Sequence, residues 1–260
     1  LRAGQPALTV ASVLGSARAV ESLAMSGFDC VWLDAEHVST GIGEMEQLVR
    51  ACRARDCDAM VRVPRGSYSD LIRPLESGAA GVMAPHVMSA DEAREIARVT
   101  RFAPLGRRPI NGGAADAGFT RLPAAEYVRQ ANDNTFVVAQ IEDPEPLDEL
   151  DAIAAVEGID LLFFGPADFS HAIGRPGEMD HPDVDAARRA VADAACKAGK
   201  VAGTVASVES AEGLLEMGYR MLNFGADVTA LVTHFDPLAT AMRERCDAAL
   251  AGPAEGDVLA

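Results

Sequence analysis

Residues 136–143 read FVVAQIED and residues 159–168 read IDLLFFGPAD, and each apolar run stops at a carboxylate. The runs 136–141 and 160–164 are short and rich in β-branched or aromatic side chains, as expected of strands buried on both faces. A helix-like stretch at 146–155 lies between them. Two parallel strands joined in this way would deliver Glu142 and Asp168 to the same end of one sheet. Carboxylate oxygens converging from two strand ends suit a hard divalent cation such as Mg²⁺, Mn²⁺ or Co²⁺. Either acid alone reads equally well as a helix N-cap. The pair in this register reads as metal ligands.

Outward from this pair, the chain repeats the same unit. Strand patterns at 8–13, 30–33, 59–63, 81–84, 201–205 and 221–224 join the two above. Helical patterns follow at 17–26, 44–55, 68–77, 90–100, 146–155, 184–198, 208–217 and 228–248. Eight β-then-α units predict an α/β fold, a TIM (β/α)8 barrel, as a single catalytic domain over 1–250. A doubly wound open sheet would call for a G-x-G-x-x-G turn after a strand, and the chain has none. Two stretches break the rhythm. The tail 251–260 is small and polar and is expected to be poorly ordered. The loop 101–123 is long enough to suggest a functional element, with Arg107, Arg108 and Arg121 forming an anion-reading lid; a loop held by arginine pairs would look the same.

Composition narrows the chemistry. A formal net charge of −16 argues against a nucleic-acid surface, which needs clustered Lys and Arg. No run of 18 or more apolar residues is present, so no transmembrane helix is expected, and no signal-peptide core follows a basic stretch. The five cysteines are scattered without a C-x-x-C, which fits a reducing cytoplasm. Of the 23 basic residues only Lys197 and Lys200 are lysines, one on a last helical turn and one just before a strand. Neither is placed to form a Schiff base, so an enzyme acting on a keto acid would need another electrophile, which a metal ion supplies.

In such a barrel the active site lies at the C-terminal ends of the strands. The second strand ends WLDAEH, where Asp34 and His37 are spaced to face each other as an acid/base dyad; Glu36 is ambiguous and is read as pointing outward. The third ends VRVPR, where Arg62 stands inside an apolar strand and needs an anion or a carbonyl, while Arg65 is left to solvent. His86, after the fourth, is read as a supporting or surface histidine. Gln140 shares a face with Glu142 by the period of two and could hold a metal-bound water. After the sixth strand, Gly165, Pro166 and Ala167 form a small-residue turn whose amides could cradle a carboxylate while Asp168 holds the metal. This set suits a 2-keto acid whose enolate is stabilised by the metal and by Arg62, so the expected reaction is reversible retro-aldol cleavage.

At these residues the sequence resembles the HpcH/HpaI aldolase family, metal-dependent (class II) pyruvate aldolases of 4-hydroxy-2-oxo acids. The likeness covers about residues 8–245 and rests on WLDAEH, VRVP, ESGAAGVMAP, VVAQIEDPEPLDELDAI, VEGIDLLFFGPADFS and their order. It implies a phosphoenolpyruvate/pyruvate-type barrel, with pyruvate and an aldehyde as the small-molecule partners. It also implies a homo-oligomer, often a hexamer built as a trimer of dimers that exchange the last helix. Carried over, Glu142 and Asp168 match the metal ligands, Arg62 the enolate-stabilising arginine, and His37 with Asp34 the acid/base dyad. Gln140 matches the water-positioning glutamine, and Ala167 with Asp168 the amides that receive the pyruvate carboxylate. The chain departs from the pattern at Glu76, where many members have an Asp reaching a neighbouring subunit, and at Arg107-Arg108-Pro109 in the long loop. Competing readings are another carbon–carbon lyase on the same barrel, acting on acyl-CoA thioesters or oxaloacetate, or a silent barrel that only binds a keto acid.

Overall fold

The computed structural model describes residues 4–251. Eight parallel strands close into a barrel in chain order: β1 (Ala7–Ser12), β2 (Cys30–Asp34), β3 (Asp58–Arg62), β4 (Gly81–Ala84), β5 (Phe136–Ile141), β6 (Leu161–Phe164), β7 (Val201–Val205) and β8 (Tyr219–Ala226). β8 pairs back onto β1, so no edge is left open. All eight expected strands are present, with ends within two residues of the sequence reading. No helix among the described residues is long and apolar enough to cross a membrane.

Strand parity builds two separate cores. On β2, Val31 and Leu33 face the helices and join the large outer core, whereas Cys30 and Trp32 point into the barrel. Met60, Met83, Val138, Leu161, Phe163 and Met221 fill the barrel interior with them. The same parity carries Asp34, Arg62, Gln140 and Glu142 into the layer above this plug. The barrel is therefore solid below and chemical on top.

The helices are α1 (Ala17–Ala24), α2 (Ile42–Arg53), α3 (Tyr68–Glu76), α4 (Ala90–Thr100), α5 (Ala124–Asn134), α6 (Leu150–Ala154), α7 (Pro166–Ala172), α8 (Pro182–Lys197), α9 (Ala211–Glu216) and α10 (Asp227–Leu250). Three of them correct the sequence reading. The stretch 124–134 forms α5, a helix not anticipated because it interrupts the one-strand, one-helix rhythm. The small-residue turn after β6 is the first turn of α7, which Pro166 at its start favours. The helix expected at 146–155 is a 3₁₀ turn, Glu145–Glu149, leading into α6. Of the expected tail, residues 252–260 lie outside the described residues.

The long loop also departs from expectation. Arg108 is buried, pairs with Asp116 at 2.6 Å and lies 4.8 Å over the Phe102 ring. Arg121 bonds the carbonyl of Gly118. The amide of Ala115 donates to the Glu76 carbonyl at the end of α3, and that of Arg107 to Arg98 in the last turn of α4. These helix ends lie at the N-terminal end of the strands. Within its own chain the loop is thus at the opposite end from Glu142, and two of the three arginines expected in a lid hold the loop together.

Arg101 anchors this end. Its buried guanidinium donates to the carbonyls of Gly158, Asn132 and Thr135 and pairs with Asp160, which also accepts the amide of Val137 on β5. One cation thereby ties α4, α5 and the starts of β5 and β6. Arg101→Leu is expected to destabilise the fold by about 2–3 kcal/mol, because several buried acceptors lose their donor at once. Urea unfolding measures this, and an unshifted midpoint would refute the anchoring role.

Candidate active site

Cα register places Asp34 on β2 directly beside Arg62 on β3. The Asp34 carboxylate takes Arg62 Nε at 3.1 Å and Nη2 at 2.7 Å, a two-bond fork that fits the planar guanidinium. Burial disfavours the charge on Asp34, but the Arg62 guanidinium and the amides of Glu36 and His37 outweigh it and hold the carboxyl below its ordinary range. Burial works against the Arg62 charge too. Asp34, then Glu36 and Glu142, hold its guanidinium protonated.

The expected Asp34–His37 contact takes another form. Both oxygens of Asp34 serve Arg62, and the exposed His37 imidazole instead lies 3.5 Å from Glu36 Oε2. Glu36, which the sequence left ambiguous, is turned in and approaches Arg62 Nε at 3.2 Å. This is a charge contact, for Oε2 is buried without an aligned hydrogen bond. The signal was present in the sequence: two residues past Asp34 is the same strand face, three is the opposite one.

Across the barrel, Glu142 is almost fully buried just beyond β5. The amide of His86 donates to its Oε1 at 3.0 Å, and the Gln140 amide donates to its Oε2. His86 adopts φ 49°, its carbonyl accepts from Arg65, and its Nδ1 lies 2.8 Å from Asp143 Oδ2. Arg65, read as solvated, thus fixes the turn that supplies the His86 amide. Burial works against the His86 charge, but Asp143, Glu142 and Glu36 raise its pKa above the ordinary value. Gly165 completes the pocket wall, since a Cβ there would fall 2.5 Å from Glu142 Oε2. Only glycine lets the β6 backbone pass this close.

Asp168 stands exposed in the first turn of α7, with Ala167 before it and Pro166 buried below. Desolvation drives the Glu142 carboxyl up from 4.5 to about 7, and the Asp168 charge pushes the same way against the neighbouring His86. Two acids that repel each other call for a cation between them. Gln140 Oε1 is buried and without a partner among the described residues, so it supplies one more unused acceptor beside Glu142. Among the described residues no group of three or more His, Cys, Asp or Glu forms a complete metal cage. A half-shell of two acidic oxygen donors suits a hard cation that completes its coordination with water or substrate. Lys197 pairs with Asp151 and Lys200 bonds the Val156 carbonyl, so neither bonds within this cluster.

The model of the HpcH/HpaI aldolase/citrate lyase family matches residues 12–234. The chain belongs to this family. It is 36% identical over 222 residues to a hydroxypyruvate/pyruvate aldolase of Paraburkholderia phytofirmans, covering 83% of this chain and 85% of that one. It is 34% identical to a 4-hydroxy-2-oxo-heptane-1,7-dioate aldolase of Shigella sonnei, across 92% and 91% of the two chains. Its fold superposes on an HpcH/HpaI aldolase from Desulfitobacterium hafniense with a TM-score of 0.88 and 31% identity, over 93% and 94% of the chains. The protein is a carbon–carbon lyase of the aldolase type, with the TIM barrel of its relatives.

The Glu142 environment has a measurable consequence. A carboxyl raised from 4.5 to about 7 binds its proton more tightly folded than unfolded. Its contribution to stability is full below 4.5 and is lost as pH rises through about 7. His86, with its raised pKa, adds in the same direction. In protein stripped of divalent ions the melting temperature is expected to fall over this interval, and Glu142→Gln to flatten the fall. An equal slope in that variant would contradict the assignment.

Proposed function

We propose that this aldolase reversibly cleaves 4-hydroxy-2-oxo acids to pyruvate and an aldehyde, as one catalytic domain over 1–250. The observation that supports the reading best is the pair of opposed charge environments on one barrel end. Arg62 is held cationic by Asp34 and Glu36, while at the other wall Glu142 and Asp168 gather negative charge against the single His86 imidazole, 3.7 Å from Glu142 Oε1. Glu142 and Asp168 would hold a divalent cation, Mg²⁺, Mn²⁺ or Co²⁺, with Gln140 orienting a water. When bound, the ion supplies Lewis-acid polarisation of the 2-oxo acid.

The chain's own residues then divide the work. The first-turn amides of Ala167 and Asp168, beyond the Gly165-Pro166 corner, receive the substrate carboxylate, as such amides have no partners within their helix. Arg62 Nη1 has no protein partner among the described residues, since Asp34 occupies Nε and Nη2. It donates to the 2-oxo oxygen as negative charge gathers there. His37 accepts the proton of the C4 hydroxyl, with Glu36 beside it to stabilise the imidazolium. The C3–C4 bond breaks, its electron pair moves toward the 2-oxo oxygen, the aldehyde departs, and C3 takes a proton to give pyruvate. Asp34 in this scheme fixes Arg62 instead of orienting His37.

The reading extends to assembly in the cytoplasm as a homo-oligomer, a hexamer formed as a trimer of dimers. Helix α10 exposes Val228, Leu231, Val232, Phe235, Leu238 and Met242 along one side, spacing that makes a continuous apolar stripe. A second copy of the chain would cover it. Light scattering is expected to give a multiple of the chain mass, and a monomer at micromolar concentration would contradict this part.

Pyruvate release from 4-hydroxy-2-oxo acids, coupled to lactate dehydrogenase, tests the function itself. Turnover should vanish in EDTA and return with Mg²⁺, Mn²⁺ or Co²⁺. Glu142→Gln should lower kcat at least about a hundredfold, and Arg62→Leu similarly, the scale of losing a group that stabilises developing charge. Full activity in metal-free enzyme would refute the reading.

A further inference from the structure

Arg62 is held on more than its edge. Its guanidinium carbon lies 4.9 Å over the ring of Trp32, two residues before Asp34 on the same strand and the same barrel face. The indole is itself locked, with the Phe163 ring across the barrel at 5.3 Å and 75°. It is nearly fully buried, and its Nε1 has no hydrogen-bond partner among the described residues. A buried indole that gives up its hydrogen bond is an uneconomical filler, when an aliphatic side chain would close the barrel without stranding a donor. What the indole offers that an aliphatic cannot is a π face beneath a cation.

We infer that Trp32 is a positioning residue for Arg62: its ring holds the guanidinium plane so that Nη1, the end without a protein partner among the described residues, stays aimed at the reacting oxygen. This rests on the aldolase reading above for what Arg62 does. Asp34 alone grips one edge and leaves the plane free to swing about that edge. A face contact removes that freedom, as the geometry of a charge-stabilising donor requires. Glu36 adds charge but no aligned bond, so it cannot replace the ring. Trp32 touches no reacting atom in this account and acts only through Arg62.

Trp32 is also the chain's single tryptophan, so its emission reports this contact without labelling. The experiment uses the full chain loaded with Mg²⁺, comparing wild type, Trp32→Phe and Trp32→Leu. Both substitutions leave space in the barrel, but only Phe keeps a π face. Trp32→Leu is expected to lower kcat about tenfold with KM changed less than about twofold, and Trp32→Phe to stay within about threefold of wild type. Equal losses in the two variants would reduce Trp32 to packing and overturn the inference, as would a Leu variant with wild-type kcat. Should Trp32→Leu not fold, the wild-type emission still decides. Pyruvate should change it, and Arg62→Leu should abolish that change while Lys197→Ala, outside the site, preserves it. A pyruvate response that survives Arg62→Leu overturns the coupling. Absence of wild-type turnover on any 4-hydroxy-2-oxo acid would count against the aldolase reading, whereas the emission test would still stand or fall by itself.

Discussion

A guanidinium inside a barrel is the constraint around which this site is organised. Arg62 occupies a strand position whose parity sends it inward, where an unpaired cation would be intolerable. The barrel resolves this by register: Asp34 stands beside it on the neighbouring strand and closes a two-bond fork. The arrangement needs β2 and β3 in this alignment, for a one-residue slip of either strand would turn its charged side chain toward the outer core and away from its partner. The catalytic layer and the strand register therefore specify each other.

The opposite wall is built on the reverse principle. Glu142 is buried among amide donors, with Asp168 nearby and no arginine or lysine bonded to it, and its carboxyl is pushed up to about 7. Arg62 meets a carboxylate through a two-bond fork, whereas Glu142 takes its hydrogen bonds from the neutral amides of His86 and Gln140, with the His86 imidazole 3.7 Å away. Such an imbalance costs stability unless something positive arrives, which is why the proposed cation and this carboxylate belong to one argument. The backbone of Gly165 passes so close to this carboxylate that a Cβ there would fall 2.5 Å from Oε2.

Much of this was legible in the sequence, because two signals there are strong. Buried parallel strands print as short apolar runs, and a strand that ends in a charge reports the catalytic face. Asp34, Arg62, Gln140 and Glu142 followed from those two facts. The pairing among them did not. Asp34 was matched to His37 by proximity in the chain, when the period of two favours Glu36, and the partner of Asp34 came from a strand 28 residues away. The turn holding His86 with φ 49° had no pattern to announce it. The long loop misled for another reason. Arginine beside glycine reads the same whether it awaits an anion or holds a carbonyl, and only the contacts of Arg108 and Arg121 distinguish them. Trp32 is a core residue on which Arg62 rests, a contact that no sequence pattern announced.

The central claim is that Glu142 and Asp168 form one half of a cation's shell and a 2-oxo acid the other. Anomalous diffraction from crystals of the protein grown with Mn²⁺ and pyruvate tests it most directly. The account predicts a single strong peak between these two carboxylates, with pyruvate adjoining it and facing Arg62. A peak elsewhere, or pyruvate bound away from the ends of β5 and β6, would contradict it.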